Sequence, residues 1–81
     1  MIEKKIFLKT LEEVKEFVSV AMSRKYDLEL LSGKYVVNAK SIMGVFSLDL
    51  TKPIVVVAHT DSDSELLAAI EKYEVAQHEK V

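Results

Sequence analysis

Apolar and polar positions along the chain fall into alternating segments of strand and helix periodicity. Residues 2–8 form a strand pattern, with a β-branched and aromatic centre at Ile6-Phe7. Thr10-Leu11-Glu12-Glu13 is a capping box: the threonine accepts from the amide three residues on, and Glu13 reaches back. The spacing of Leu11, Val14, Phe17, Val18 and Ala21 then predicts a helix over 11–24 with one inward face. Residues 27–31 alternate, with Leu28 and Leu30 on one side. Ser32-Gly33-Lys34 reads as a hairpin turn in which glycine supplies a positive φ, and 35–39 is the return strand. Ser41 caps a short helix over 41–47. Lys52-Pro53 opens a strand over 54–58 whose apolar residues fall on both faces, as in a central strand. Ser62-Asp63-Ser64-Glu65 is a second capping box, followed by a helix with Leu66, Ala69, Ile70 and Tyr73 inward. The tail 77–81 is expected to fray.

The order βαββαβα predicts an α/β (α+β) open-faced sandwich, with a four-stranded antiparallel sheet covered on one face by helices. At 81 residues the chain fits one domain spanning 1–81. A composition of 49% hydrophobic and 30% charged residues argues against disorder. The net charge of −2, with basic residues spread along the chain, gives no footprint for direct nucleic-acid binding. No apolar run resembles a signal peptide or a membrane span, so a cytoplasmic protein without membrane contact is expected. Without cysteine there is no disulfide, thiolate metal site or thiol nucleophile.

Residues 40–46, Lys40-Ser41-Ile42-Met43-Gly44-Val45-Phe46, hold the most specific signal. Together with Gly33-Lys34, Val37-Asn38 and Ser47-Leu48, they resemble the regulatory-serine segment of the HPr family, the small phosphocarriers of the bacterial sugar phosphotransferase system. The element order is similar to that family over nearly the whole length. The resemblance is sharp only over residues 33–48. It implies an HPr-like sandwich, a regulatory phosphorylation site at Ser41, and partner docking through the helix that begins there.

The same comparison exposes two departures. The family carries a Gly-(Ile/Leu)-His-Ala-Arg-Pro-Ala loop whose histidine receives the phosphoryl group and whose arginine helps hold the anion. Counting back from Phe17-Val18 puts Thr10 at the position of the lost phosphohistidine, Glu12 at the arginine and Glu13 at the proline. Threonine forms no phosphoimidazole, and two carboxylates repel an incoming phosphate. The segment from Gly33 to Ser41 is also one residue longer than the family spacing, and the Val36-Val37 pair suggests a bulge.

Each candidate carries a plain reading beside the sharper one. Ser41 is either a helix cap alone or a cap that is also phosphorylated, with the helix dipole and neighbouring Lys40 favouring the phosphate. Ile42, Met43 and Phe46 are either core, or an exposed partner-binding patch if Val45 and Leu48 pack inward instead. Thr10, Glu12 and Glu13 read as capping rather than catalysis. Asp61, Asp63 and Glu65 lack the spacing and glycine of a calcium loop and read as compensation of a helix dipole. His59 and His78 have no second ligand at metal spacing, so no metal is expected. His59 as a replacement phosphoryl acceptor has Asp61 nearby but no matched arginine.

The resulting expectation is a non-catalytic HPr-like regulatory or adaptor protein, without cofactor, that binds partners through Lys40, Ile42, Met43 and Phe46 under control of Ser41. By resemblance, those partners are a serine kinase/phosphorylase and a catabolite-control transcription factor. The chain is expected to be a monomer or weak homodimer. The alternatives are a divergent phosphocarrier with a relocated acceptor and a purely structural oligomerisation domain.

Overall fold

Patterning and turn chemistry produce the expected order of elements. In the computed structural model, which describes residues 1–75, strand β1 (Ile2–Ile6) is followed by helix α1 (Leu11–Met22), β2 (Leu28–Ser32) and β3 (Tyr35–Asn38). Helix α2 (Ile42–Phe46), β4 (Ile54–Ala58) and α3 (Ser64–Ile70) complete it, and a 3-10 turn (Glu71–Tyr73) extends α3. The tail 77–81 and His78 lie outside the described residues.

The sheet has four antiparallel strands in the order β1-β4-β2-β3. The apolar run Ile54-Val55-Val56-Val57-Ala58 occupies an interior position between β1 and β2, which explains apolar residues on both of its faces. Ile54, Val56 and Ala58 face the helices and are buried with Ile6, Leu28 and Leu30, while Val14, Phe17, Val18 and Ala21 of α1 and Leu66 and Ile70 of α3 close the core from above. The opposite face carries Glu3 and Lys5 of β1, Val55 and Val57 of β4, Glu29 and Leu31 of β2, and Val36 and Asn38 of β3, by the strand register.

Four local expectations are corrected. Leu11 is exposed rather than part of the inward stripe, because the core-facing arc of α1 begins only at Val14, one turn in. The predicted bulge at Val36-Val37 is absent: Leu31 faces Val36 and Leu30 faces Val37 without interruption. The turn between Ser32 and Tyr35 is a tight two-residue one, with Gly33 alone at positive φ (59°), as a type II′ turn requires. The cap of α3 is Asp63, not Ser62. Its carboxylate accepts from the amide of Leu66 at 3.1 Å, because the helix starts one residue later than the Ser-x-x-Glu pattern placed it. Finally, Ala69 is only partly covered, although Leu66, Ile70 and Tyr73 are buried as expected.

After the 3-10 turn the chain returns to the sheet. Phe7 N–H donates to the Tyr73 carbonyl (2.8 Å) and Val75 N–H to the Lys5 carbonyl (2.9 Å). Residues 73–75 thereby cover the C-terminal half of the outer edge of β1.

Candidate protein-binding face

Where β3 ends, Asn38 organises the turn into α2. Its side-chain oxygen accepts from Lys40 N–H (2.8 Å), and its carbonyl accepts from Ser41 N–H (3.0 Å). Ser41 then adopts extended backbone (φ −104°, ψ 109°), and its Oγ accepts from Gly44 N–H at 3.2 Å, so it is the N-cap of α2. Glycine at 44 leaves room for the cap, since a Cβ there would stand a tight 3.3 Å from Ser41 Oγ, whereas its 3.5 Å from Val37 Cβ would be ordinary contact. At the other end Ser47 Oγ donates to the Gly44 carbonyl (2.6 Å) and closes the helix.

The five-residue α2 is sharply two-sided. Val45 is fully buried and Leu48, just beyond the helix, nearly so, whereas Ile42, Met43 and Phe46 are 37%, 76% and 42% exposed. Of the two readings left open by the sequence, the geometry selects the one in which Val45 and Leu48 anchor the helix. Three large apolar side chains then face water from a single turn of helix.

Lys40 is engaged elsewhere. Its Nζ donates to the Arg24 carbonyl at 2.7 Å, satisfying an orphan acceptor past the C-terminus of α1. Lys40, expected as a neighbour favouring a phosphate on Ser41, thereby anchors the end of α1 to the start of α2.

Thr10 is the N-cap of α1: its Oγ1 accepts from Glu13 N–H at 3.1 Å. Glu13 reaches back to Lys9 N–H (2.7 Å), one residue before the cap rather than to the cap itself. Both residues are thus committed to helix initiation, with Glu12 adding a second carboxylate to the first turn. Thr10 leaves the sheet from the end where Ile6 faces Ile54. Ser41 and His59 leave it from the opposite end, where Leu28 and Ile2 face Ala58. The fold therefore does not bring Ser41 or His59 to the position of Thr10. His59 places its Nε2 3.1 Å from Glu29 Oε1 across the strand ends.

One cluster escaped the sequence reading. Arg24, the chain's single arginine, contacts both Asp63 oxygens (3.0 and 3.2 Å) and Glu65 (3.1 Å), and Tyr26 donates its hydroxyl to Asp63 at 2.7 Å. The Tyr26 hydroxyl, the Leu66 amide and Arg24 hold the Asp63 carboxyl at about 2. Burial, with Asp63 beside it, pushes the Tyr26 phenol up to about 12. The cluster ties the ends of α1 and α3 together next to the Lys40 anchor. The presence of only one arginine was the sole signal for it, because its partners lie 37 to 41 residues away in sequence.

Among the described residues, no group of three or more histidine, cysteine, aspartate or glutamate side chains is placed to hold a metal, and no helix is long and apolar enough to cross a membrane.

No protein-family model and no curated protein sequence matches the chain. Solved structures do match. One is HPr-C-His from Thermoanaerobacter tengcongensis, 26% identical over 89% of each chain, with a TM-score of 0.74. Another is the phosphocarrier protein HPr from Bacillus anthracis strain Ames, 24% identical over 91% of this chain and 96% of that one, with a TM-score of 0.68. TM-scores of 0.74 and 0.68 over about nine-tenths of this chain show that it has the HPr-like fold.

Proposed function

We propose that this chain is a non-catalytic regulatory or adaptor module related to the sugar phosphotransferase system, acting in the cytoplasm by binding proteins through α2. The observation that carries this reading is the division of α2 into a buried Val45–Leu48 side and an exposed Ile42, Met43 and Phe46 side. Exposing three large apolar groups on one helical turn has no folding benefit, and such a face suits a partner's apolar groove. Methionine at its most exposed position adapts to differently shaped partners.

The lost-carrier part rests on Thr10. Its hydroxyl and the Glu13 amide satisfy each other, and carboxylates stand in the first turn, where a phosphate would otherwise be drawn to the helix terminus. In this reading Ser41 is both the cap and the switch. A phosphate there adds about two negative charges to the rim of the apolar face and changes which partners it accepts. Lys40 contributes by fixing the junction on which that face stands. The partners proposed are a serine kinase/phosphorylase that modifies Ser41 and a catabolite-control transcription factor that reads it.

Titrations of those two purified proteins against wild type, Ser41→Asp and Met43→Glu test the proposal. Met43→Glu should keep the melting temperature, since no buried volume is lost, and should abolish binding, because the contact would bury an unpaired carboxylate. Ser41→Asp should alter affinity for the transcription factor. A folded Met43→Glu protein that binds as well as wild type contradicts docking through α2.

A further inference from the structure

The two edges of the sheet are protected very differently. The β1 edge carries Glu3-Lys4-Lys5, and residues 73–75 hydrogen-bond along its C-terminal half. Charged side chains and covering backbone are standard protection against edge-to-edge pairing. The β3 edge, Tyr35-Val36-Val37-Asn38, has no charge, proline or bulge. Tyr35 and Val36 are 71% and 58% exposed. Among the described residues, no strand pairs with its outer side; only the Asn38 carbonyl at its end is taken, by Ser41 N–H.

The backbone of this edge is directed for a partner. Ser32 and Tyr35 close a two-residue turn, so they form a hydrogen-bonded pair, and bonded pairs alternate along the ladder. Tyr35 and Val37 therefore turn their N–H groups toward β2, as does Ala39, whose N–H donates to the Leu28 carbonyl at 2.9 Å. Val36 and Asn38 turn theirs outward.

We propose that β3 is a self-association edge, on which a second copy of this chain docks antiparallel about a two-fold axis through Val36. In that register each Val36 N–H meets the carbonyl of the partner's Val36. On the open face Val36 packs on its own copy, extending the Val55–Leu31–Val36 row across the junction. On the helix-bearing face Tyr35 lies opposite the partner's Val37, an aromatic and β-branched pair of the kind that stabilises sheets. Lys34 falls opposite the partner's Asn38, so no like charges meet. A two-fold contact of this kind is isologous and closes at the dimer. Only four strand residues per copy take part, which puts the interface below the ~1,200 Å² of a standard one and makes the dimer reversible.

The self-pairing of Val36 supplies a specific test. Sedimentation of the full chain from micromolar to millimolar concentration should show a reversible monomer–dimer equilibrium. Backbone NMR shifts on dilution should be largest at Val36 and Asn38 amides and at the Tyr35 ring. Val36→Lys and Val36→Glu each set like charges face to face and should weaken association by roughly a hundredfold or more. An equimolar mixture of the two variants should dimerise again, because lysine then faces glutamate. Met43→Glu, which tests the α2 face, should leave this association unchanged. A wild type that stays monomeric at millimolar concentration overturns the proposal. So does a dimer whose dilution shifts map to α2 or β1, or a charge-swapped mixture that stays monomeric.

Discussion

Replacing Ser41 separates the structural part of its role from everything else. Its Oγ accepts one hydrogen bond, from Gly44 N–H at 3.2 Å, the long end of the usual range. Loss of an N-cap side chain costs about 0.5–2 kcal/mol. Ser41 is exposed, so water reaches the freed amide, and the cost in Ser41→Ala falls in the lower half, about 0.5–1 kcal/mol. For a domain of this size 1 kcal/mol moves the melting temperature by about 4–8 °C, so Ser41→Ala should melt about 2–8 °C lower. Ser41→Asp keeps an acceptor oxygen and should stay near wild type. Ser41→Gly should lose only a few tenths of a kcal/mol, less than alanine does, because a glycine backbone accommodates the cap conformation. Hydrogen exchange at the Gly44 amide provides the local reading, with protection lost in alanine and retained in aspartate. If all three variants melt with wild type and Gly44 exchange is unchanged, Ser41 is not the cap, and the placement of α2 fails with it.

Two further perturbations probe the packing that holds this face in place. Val45→Ala removes two fully buried carbons and should cost roughly 2–3 kcal/mol in denaturant melts, whereas Phe46→Ala should cost about 1 kcal/mol or less; the reverse order would mean that the two faces of α2 are misassigned. Acid titration reads the Asp63 cluster: its carboxyl lies at about 2 in the fold against 3.8 for the free group, so its contribution is fully present above about pH 4 and is lost as pH falls toward 2. Asp63→Asn should therefore flatten the fall in stability between pH 4 and 2, and an acid profile identical to wild type would show that the carboxylate is not held by Tyr26, Leu66 and Arg24.

What the sequence made legible was whatever local chemistry determines. Thr10 and Ser41 are both caps, Gly33 takes the positive φ of its turn, and the two-faced apolar strand 54–58 lies inside the sheet. Each depends on neighbours within a few residues or on a short periodic pattern. The choice between core and patch for Ile42, Met43 and Phe46 needed the tertiary packing, because it is the burial of Val45 and Leu48 in the shared core that turns the other side of α2 outward. The Arg24–Tyr26–Asp63 cluster and the Lys40–Arg24 contact were invisible for the same reason, since no periodicity links residues from separate elements. The bulge failed because an extra residue relative to a resembling segment can be absorbed elsewhere; here the ladder runs unbroken and the chain turns at Asn38 to Ser41. At α3, the cap fell to Asp63 rather than to Ser62 of the capping-box pattern. The carboxylate, held also by Arg24 and Tyr26, took the cap.

The central claim is that an HPr-like fold here serves protein binding without relaying a phosphoryl group through a histidine. Incubating the full chain with phosphoenolpyruvate and the purified phosphoenolpyruvate-dependent enzyme of the sugar system, then reading intact mass and phosphorus NMR, tests it most directly. The account predicts no acid-labile phosphoryl group on the wild type, and none on Thr10→His, because Glu12 and Glu13 still occupy the helix start. A phosphohistidine on the wild type, at His59 or His78, would contradict it and establish a relocated acceptor.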